Sequence, residues 1–280
     1  GGGGWELTRA FATAAAPDGS EHWQLGLQGL AGGHSGIQIH EQLGNAIKLL
    51  GQCLHDIEGV RLQHFTAGVA HNVIPREGAV GFACPPGAGA HLRGRLEALR
   101  DQWLSYLPAA DRAVALTLEA ASPGVVLGEA DSRTVLDLVA ALPHGAQSYN
   151  LAQPADLVDL SVNLAVLRLA GGTLFVESSF RFFNEQQNVP LQQTMRAVAD
   201  AFGMVVHPVV GYPGWQPDFN SDLLRRASAL HEHLFGDPPA VKAIHAGLEC
   251  GILKSKKPDM DILSFGPTIR GAHSPTERLQ

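Results

Sequence analysis

Cysteine is scarce. The chain has three in 280 residues, Cys53, Cys84 and Cys250, widely spaced and with no C-x-x-C pair. An odd count without paired spacing argues against a disulfide scaffold and fits reduced thiols in a cytoplasmic setting. Positive charge is also short: 20 Lys and Arg against 27 Asp and Glu leave a net charge of −7 and a pI near 6.0. Phosphate binding needs clustered Lys and Arg, and the densest basic run is only Lys254-Ser255-Lys256-Lys257, so no nucleic-acid partner is expected. No apolar run reaches the roughly 20 residues needed to cross a bilayer, and no signal-peptide pattern is read, so no membrane partner is expected either. The G-x-S-x-G, H-E-x-x-H, Walker A and Rossmann patterns are all missing, and the 32 Gly and 17 Pro form no repeat.

What is present is enough for a core, with 45% hydrophobic residues. Residues 22–29 alternate in period two and predict a half-buried strand. Residues 39–54 place Leu43, Ala46, Ile47, Leu50 and Leu54 at helical spacing. Residues 61–70 and 79–84 alternate again around a turn that contains Pro75. Residues 91–107 predict a helix and 113–119 a strand. The order β-α-β-β-α-β predicts an expanded ferredoxin-like α+β domain. A short helix over 131–142 follows, with Asp131 or Ser132 as its cap. Next comes a hairpin, 158–169 with 173–183, turning at Gly171-Gly172. A helix over 189–202 and a strand over 204–210 complete this part. From Gly211 the pattern becomes helix 221–235, strand 241–245, helix 248–254 and strand 260–265, which reads as the C-terminal piece of an α/β domain. The expected division is a segment 1–5, a compact domain 6–210 and a second unit 211–280.

The last strand opens into a loop, Gly266-Pro267-Thr268-Ile269-Arg270-Gly271-Ala272-His273-Ser274-Pro275. A strand-end loop can present a catalytic group or ligand, although a lone loop His is more often merely exposed. Upstream stand Ile244-His245-Ala246-Gly247-Leu248-Glu249-Cys250-Gly251 and Gly211-Tyr212-Pro213-Gly214-Trp215-Gln216-Pro217. Near the start is Gly32-Gly33-His34-Ser35-Gly36. In this order, over nearly the whole chain, these strings resemble the aminoacylhistidine dipeptidases, the Xaa-His or carnosine-cleaving branch of the two-zinc aminopeptidases, carboxypeptidases and aminoacylases.

That resemblance implies hydrolysis of Xaa-His-type dipeptides by a zinc metallopeptidase with two Zn2+ per complete subunit. It also implies a homodimer joined through the 6–210 lid, with 1–5 and 211–280 belonging to the catalytic domain. His273 would be the last metal ligand. His34 would reach into a partner's site and hold the oxyanion. Asn72 and Arg181 would bind the substrate's carboxylate end, Gly247 would admit substrate close to the backbone, and Glu249 is a weaker substrate-binding candidate.

The family's remaining ligands, and the Glu that acts as base, lie upstream of its Gly-Gly-His-Ser-Gly motif. Here only 31 residues precede it, and Glu6, Asp18 and Glu21 stand in no matching context. The expectation is therefore a chain comprising the later part of such an enzyme and inactive alone. His231 and His233 at i, i+2 point to different helix faces, and Asp259 and Asp261 read as a solvated pair. Other readings of single residues stay open. His34 can be an exposed loop residue beside a capping Ser35, and Arg181 can pair internally with Glu177 or Glu185. A different class of function is a non-catalytic dimerisation or small-ligand-binding module of ferredoxin-like fold.

Overall fold

The computed structural model describes residues 1–150, 157–216, 218–242, 245, 247–270 and 278–279. In chain order the first elements are β1 (Gly2–Ala10), β2 (Thr13–Ala15), β3 (Glu21–Gln28), β4 (Gly33–His34) and α1 (Ala46–Leu54). Then come β5 (Arg61–Ala67), β6 (Val73–Ile74), β7 (Gly78–Cys84), α2 (Ala88–Leu104), β8 (Ala115–Ala120), β9 (Val125–Leu127) and α3 (Glu129–Ala141). Next are β10 (Gly145–Tyr149), β11 (Val158–Ala170), β12 (Thr173–Phe182), α4 (Glu185–Ala201) and β13 (Val205–Tyr212). The described chain closes with α5 (Asp222–Phe235), α6 (Glu249–Lys256), β14 (Ile269–Arg270) and β15 (Arg278–Leu279).

Nine strands make one sheet in the order β13-β1-β12-β11-β5-β7-β3-β8, with β10 also on β11. Every pairing among the described residues is antiparallel. Within it, β3, α1, β5, β7, α2 and β8 follow the β-α-β-β-α-β order, with the strands lying side by side as β5-β7-β3-β8. The helices cover one face of this half. Ile47, Leu50 and Leu54 of α1, Leu92, Leu96 and Trp103 of α2 and Leu136 and Val139 of α3 share a core with Leu25, Leu62, Phe65, Val80 and Phe82. Further along the sheet, Leu191, Met195 and Ala199 of α4 are buried with Leu174, Val176, Phe180 and Phe182 of β12.

Local sequence accounts for most of the boundaries. Gly171 and Gly172, at φ 55 and 79, form the β11–β12 turn. The helix expected from Ile39 breaks into a single 3-10 turn over Ile39–Glu41 and then α1. Asn45 sets the later start, because its side chain accepts hydrogen bonds from the Ile47 and Lys48 N–H groups. The cap of α3 is Gly128 rather than Asp131 or Ser132, and the Ser132 hydroxyl instead accepts from Leu62 N at 2.8 Å.

Two differences from the sequence expectation matter for the site. First, the glycines at the start belong to a strand. β1 runs unbroken across position 5 and pairs with both β12 and β13. A Cβ at Gly3 would come within 2.8 Å of the Phe180 ring and one at Gly2 within 2.7 Å of the Tyr212 hydroxyl, so the glycines let these rings lie over the strand. Second, the strand expected at 260–265 does not form, and of the strand expected at 241–245 the described residues Val241, Lys242 and His245 are irregular; Phe265 is 91% exposed. A strand exists only with a ladder to satisfy its backbone groups, and the described residues offer these segments none. Helix α5 buries none of its residues, and Phe235 is 70% exposed.

Candidate functional site

The Gly-Gly-His-Ser-Gly loop is held at its base by one buried carboxylate. Asp111, fully buried, accepts from Ala31 N at 2.8 Å and from Gly44 N at 2.6 Å, so both ends of the loop meet on one side chain. Within the loop, β4 pairs with β6 through Gly33–Ile74 and His34–Val73, and Ser35 N donates to Asn72 O at 2.9 Å. The turn bearing Asn72 is fastened to the sheet. Asn163 Nδ2 donates to His71 O and Val73 O, and Ser179 Oγ donates to His71 O at 2.7 Å. His34 and Asn72 thus line one cavity of about 440 Å3, with Val69, Pro75 and Arg76.

The His34 ring has a defined hydrogen-bond sense. Gly36 N donates to its Nδ1 at 3.0 Å, so in the neutral ring the proton is on Nε2 and that nitrogen is a donor. The Ser35 side chain caps no helix, since among the described residues its buried Oγ has no hydrogen-bond partner and α1 is capped by Asn45.

Arg181 lies on β12, opposite Ser161 of β11 on one side and Gly2 of β1 on the other. It is 9% exposed. Nη1 donates to the Tyr212 hydroxyl at 3.0 Å, while Nε is buried with no acceptor among the described residues. Among the described residues no carboxylate lies within ion-pair distance of it, so the internal pair with Glu177 or Glu185 is not formed there. The loop glycine closes over it: a Cβ at Gly36 would stand 3.1 Å from Arg181 Cζ and Nε and 2.5 Å from His245 O. His245 is buried, and its Nε2 lies 2.8 Å from Ser161 Oγ. Burial, reinforced by the neighbouring Arg181 guanidinium and then by the Gly1 amine, pulls its pKa down to about 3, against a hydrogen bond to the Arg181 main chain that works the other way. The ring is therefore neutral near pH 7.

Gly247 is exposed, and its Cα packs on Tyr212: a Cβ there would come 2.8 Å from the ring. Glu249 opens α6, exposed at its first turn. Of the sequence-derived candidates, His34 and Asn72 share one cavity, Arg181 and Gly247 meet at Tyr212, and Gly36 joins the two groups. Among the described residues Glu249 makes no hydrogen bond or ion pair with them. His273 lies outside the described residues. Tyr212, His245, Ser161 and Asp111 were not singled out by sequence. The first two sit inside the quoted motifs, but nothing in their spacing reveals their partners.

Among the described residues, no group of three or more His, Cys, Asp or Glu side chains could hold a metal ion. The two zinc ions implied by the resemblance therefore find no fitting site in these residues. The chemistry that can be traced is that of the protein's own side chains. No helix among the described residues is long and apolar enough to cross a membrane.

Residues 25–109, which hold the base of this loop, α1 and α2, match a peptidase dimerisation domain. The chain is homologous to dipeptidases over nearly its whole length. It is 33% identical over 270 residues, 95% of this chain, to the cytosol non-specific dipeptidase of Escherichia coli (strain K12). The crystal structure of aminoacylhistidine dipeptidase from Vibrio alginolyticus superposes on 99% of this chain with a TM-score of 0.91 and 31% identity. The chain spans 55% and 58% of the lengths of these two proteins.

Proposed function

We propose that this chain supplies a lid and dimerisation domain, about 6–210 and of ferredoxin-like order, together with parts 1–5 and 211–280 of the catalytic domain of a metal-dependent dipeptidase. The reaction is hydrolysis of small dipeptides, with Xaa-His substrates as the favoured class, in a cytoplasmic homodimer. The observation that carries this reading is the buried Arg181 beneath the Gly-Gly-His-Ser-Gly loop. A buried guanidinium with no carboxylate partner is costly, and an anion that binds there relieves that cost. The C-terminal carboxylate of a dipeptide is such an anion, and Arg matches its planar geometry.

In this reading His34 acts across the dimer. Its Nε2–H, fixed by the Gly36 N–H bond on Nδ1, is a donor for the oxyanion that forms when water attacks the peptide carbonyl. Asn72, on a turn anchored by Asn163 and Ser179, offers an amide that both donates and accepts. Gly247 leaves room beside Tyr212. Activation of the water and the general base are assigned to no residue described here, and His273 is the chain's one proposed metal ligand. The similarity to a non-specific dipeptidase as well as to an aminoacylhistidine dipeptidase leaves the Xaa-His preference as the part to be tested first.

The test is calorimetric titration of the chain with β-alanyl-histidine and with its C-terminal amide, beside a zinc-supplemented hydrolysis assay and a sedimentation measurement. The expected result is a dimer that binds the acid in preference to the amide, loses that preference in Arg181→Met, and does not hydrolyse either. Equal binding of acid and amide sinks the Arg181 reading, and if the chain is still a dimer the non-catalytic dimerisation module stands. Zinc-dependent hydrolysis by these residues overturns the claim that the chain alone is inactive.

A further inference from the structure

Tyr212 belongs to no motif role assigned so far, yet every neighbour fixes it. Its hydroxyl accepts from Arg181 Nη1 at 3.0 Å. Its ring is closed in by two glycine backbones, since a Cβ at Gly2 would come 2.7 Å from the hydroxyl and one at Gly247 2.8 Å from the ring. A phenol that accepts from a guanidinium still has its own O–H to donate, and no described residue takes it. Tyr212 and Arg181 line the same cavity of about 140 Å3, together with His71 and Ser179. That volume suits the carboxylate end of a ligand rather than a whole dipeptide. Glu177 lines the cavity as well, four residues back along β12. Residues four apart on a strand share a face and lie about 13 Å apart, so a ligand anion is drawn to the Arg181 end and away from Glu177.

From this geometry we infer that Tyr212 is a carboxylate-binding residue: its O–H and the Arg181 guanidinium form a two-donor site for a ligand's terminal carboxylate. The inference rests on the reading of Arg181 as the substrate-carboxylate residue and adds a second donor to it. The guanidinium supplies charge, and the hydroxyl supplies direction. Because the ring is already clamped by Gly2 and Gly247, the hydroxyl loses little freedom when the ligand arrives, which is how preorganised donors contribute to affinity.

Tyr212→Phe removes the hydroxyl and keeps the ring against both glycines. In calorimetric titrations, β-alanyl-histidine is expected to bind the variant about tenfold more weakly than wild type, the effect of one lost hydrogen bond of ~1.4 kcal/mol. Its C-terminal amide is expected to bind the two proteins alike. Unchanged melting behaviour of Tyr212→Phe shows that the loss is local. A variant that keeps wild-type affinity for the acid within twofold overturns the role of Tyr212 while leaving that of Arg181 intact. A wild-type chain that binds acid and amide alike, or binds neither, with Arg181→Met indistinguishable from it, instead overturns the reading of Arg181 on which the inference stands.

Discussion

Asp111→Asn tests how the His34 loop is held. The carboxylate is fully buried and accepts from the backbone of Ala31 and of Gly44, the two ends of the loop. Both are charge-assisted bonds, a kind that contributes about 1.5–3 kcal/mol each. Asparagine keeps the volume but has one oxygen. Its NH2 group must face one of the two N–H donors, so one bond is lost outright and a donor is set against a donor. The other bond falls to neutral strength. The expected loss is about 2–4 kcal/mol. A Cβ at Gly44 would already sit 3.4 Å from Asp111 Oδ2, so the loop has little room to rearrange around a rotated amide. Urea denaturation reads the loss as a lower midpoint at unchanged slope. Amide exchange locates it, with faster exchange expected at Ala31 and Gly44 than at the α2 amides. A loss under about 0.5 kcal/mol, or faster exchange everywhere but at the loop base, would refute the clamp.

Three further outcomes follow from single contacts. Lys48 Nζ donates to Val139 O, Ala140 O and Leu142 O, the last carbonyls of α3, so Lys48→Met is expected to lower stability by about 1–2 kcal/mol in denaturant melts. His144 Nδ1 accepts from Leu164 N, and burial, with the nearby Lys48 ammonium, lowers its pKa from 6.5 to about 4. The unfolded chain then takes up a proton that the folded chain refuses between those values, so stability is complete above about pH 6.5 and falls by roughly 2–3 kcal/mol as pH drops toward 4, a slope that His144→Gln should flatten in pH-dependent melts. Gly36→Ala would put a methyl 2.5 Å from His245 O and 3.1 Å from Arg181 Cζ, and is expected to abolish the preference for a dipeptide acid over its amide in the calorimetric titration.

Much of the fold was legible because local chemistry and tertiary pairing agree. The Gly171-Gly172 turn, the alternation of β3, β5 and β7 and the helical spacing of α2, α3 and α5 each carry their own signal, and each element forms. Where sequence misled, a nonlocal fact decided. Gly2, Gly3 and Gly4 have low strand propensity yet lie in β1, where the Tyr212 hydroxyl and the Phe180 ring occupy the space that a Cβ at Gly2 and at Gly3 would take. Met260 to Phe265 has good strand composition and makes no strand, because composition cannot supply a neighbouring ladder. The α1 boundary was in reach, since Asn45 is a strong cap, but a continuous run of apolar spacing from Ile39 hid it.

The candidate site is readable in the sequence as separate residues and not as an arrangement. His34 and Gly247 stand in recognisable strings, while Asn72 and Arg181 stand in a turn and a strand outside them, and their meaning depends on which segments meet. Arg181 shows why. In sequence it is a charged residue in an apolar strand with two acidic candidates nearby, and strand periodicity alone puts Glu177 on its face. In the fold the nearest polar groups are a phenol from β13, a glycine from the β4 loop and a neutral histidine from the segment before α6. Those groups come from three separate stretches of chain, and none of them carries a negative charge. A cation so enclosed is left with its charge uncompensated, which no internal contact among the described residues corrects. The same enclosure that costs stability is what would give an arriving carboxylate its selectivity, because water and competing internal anions are both held away from the guanidinium.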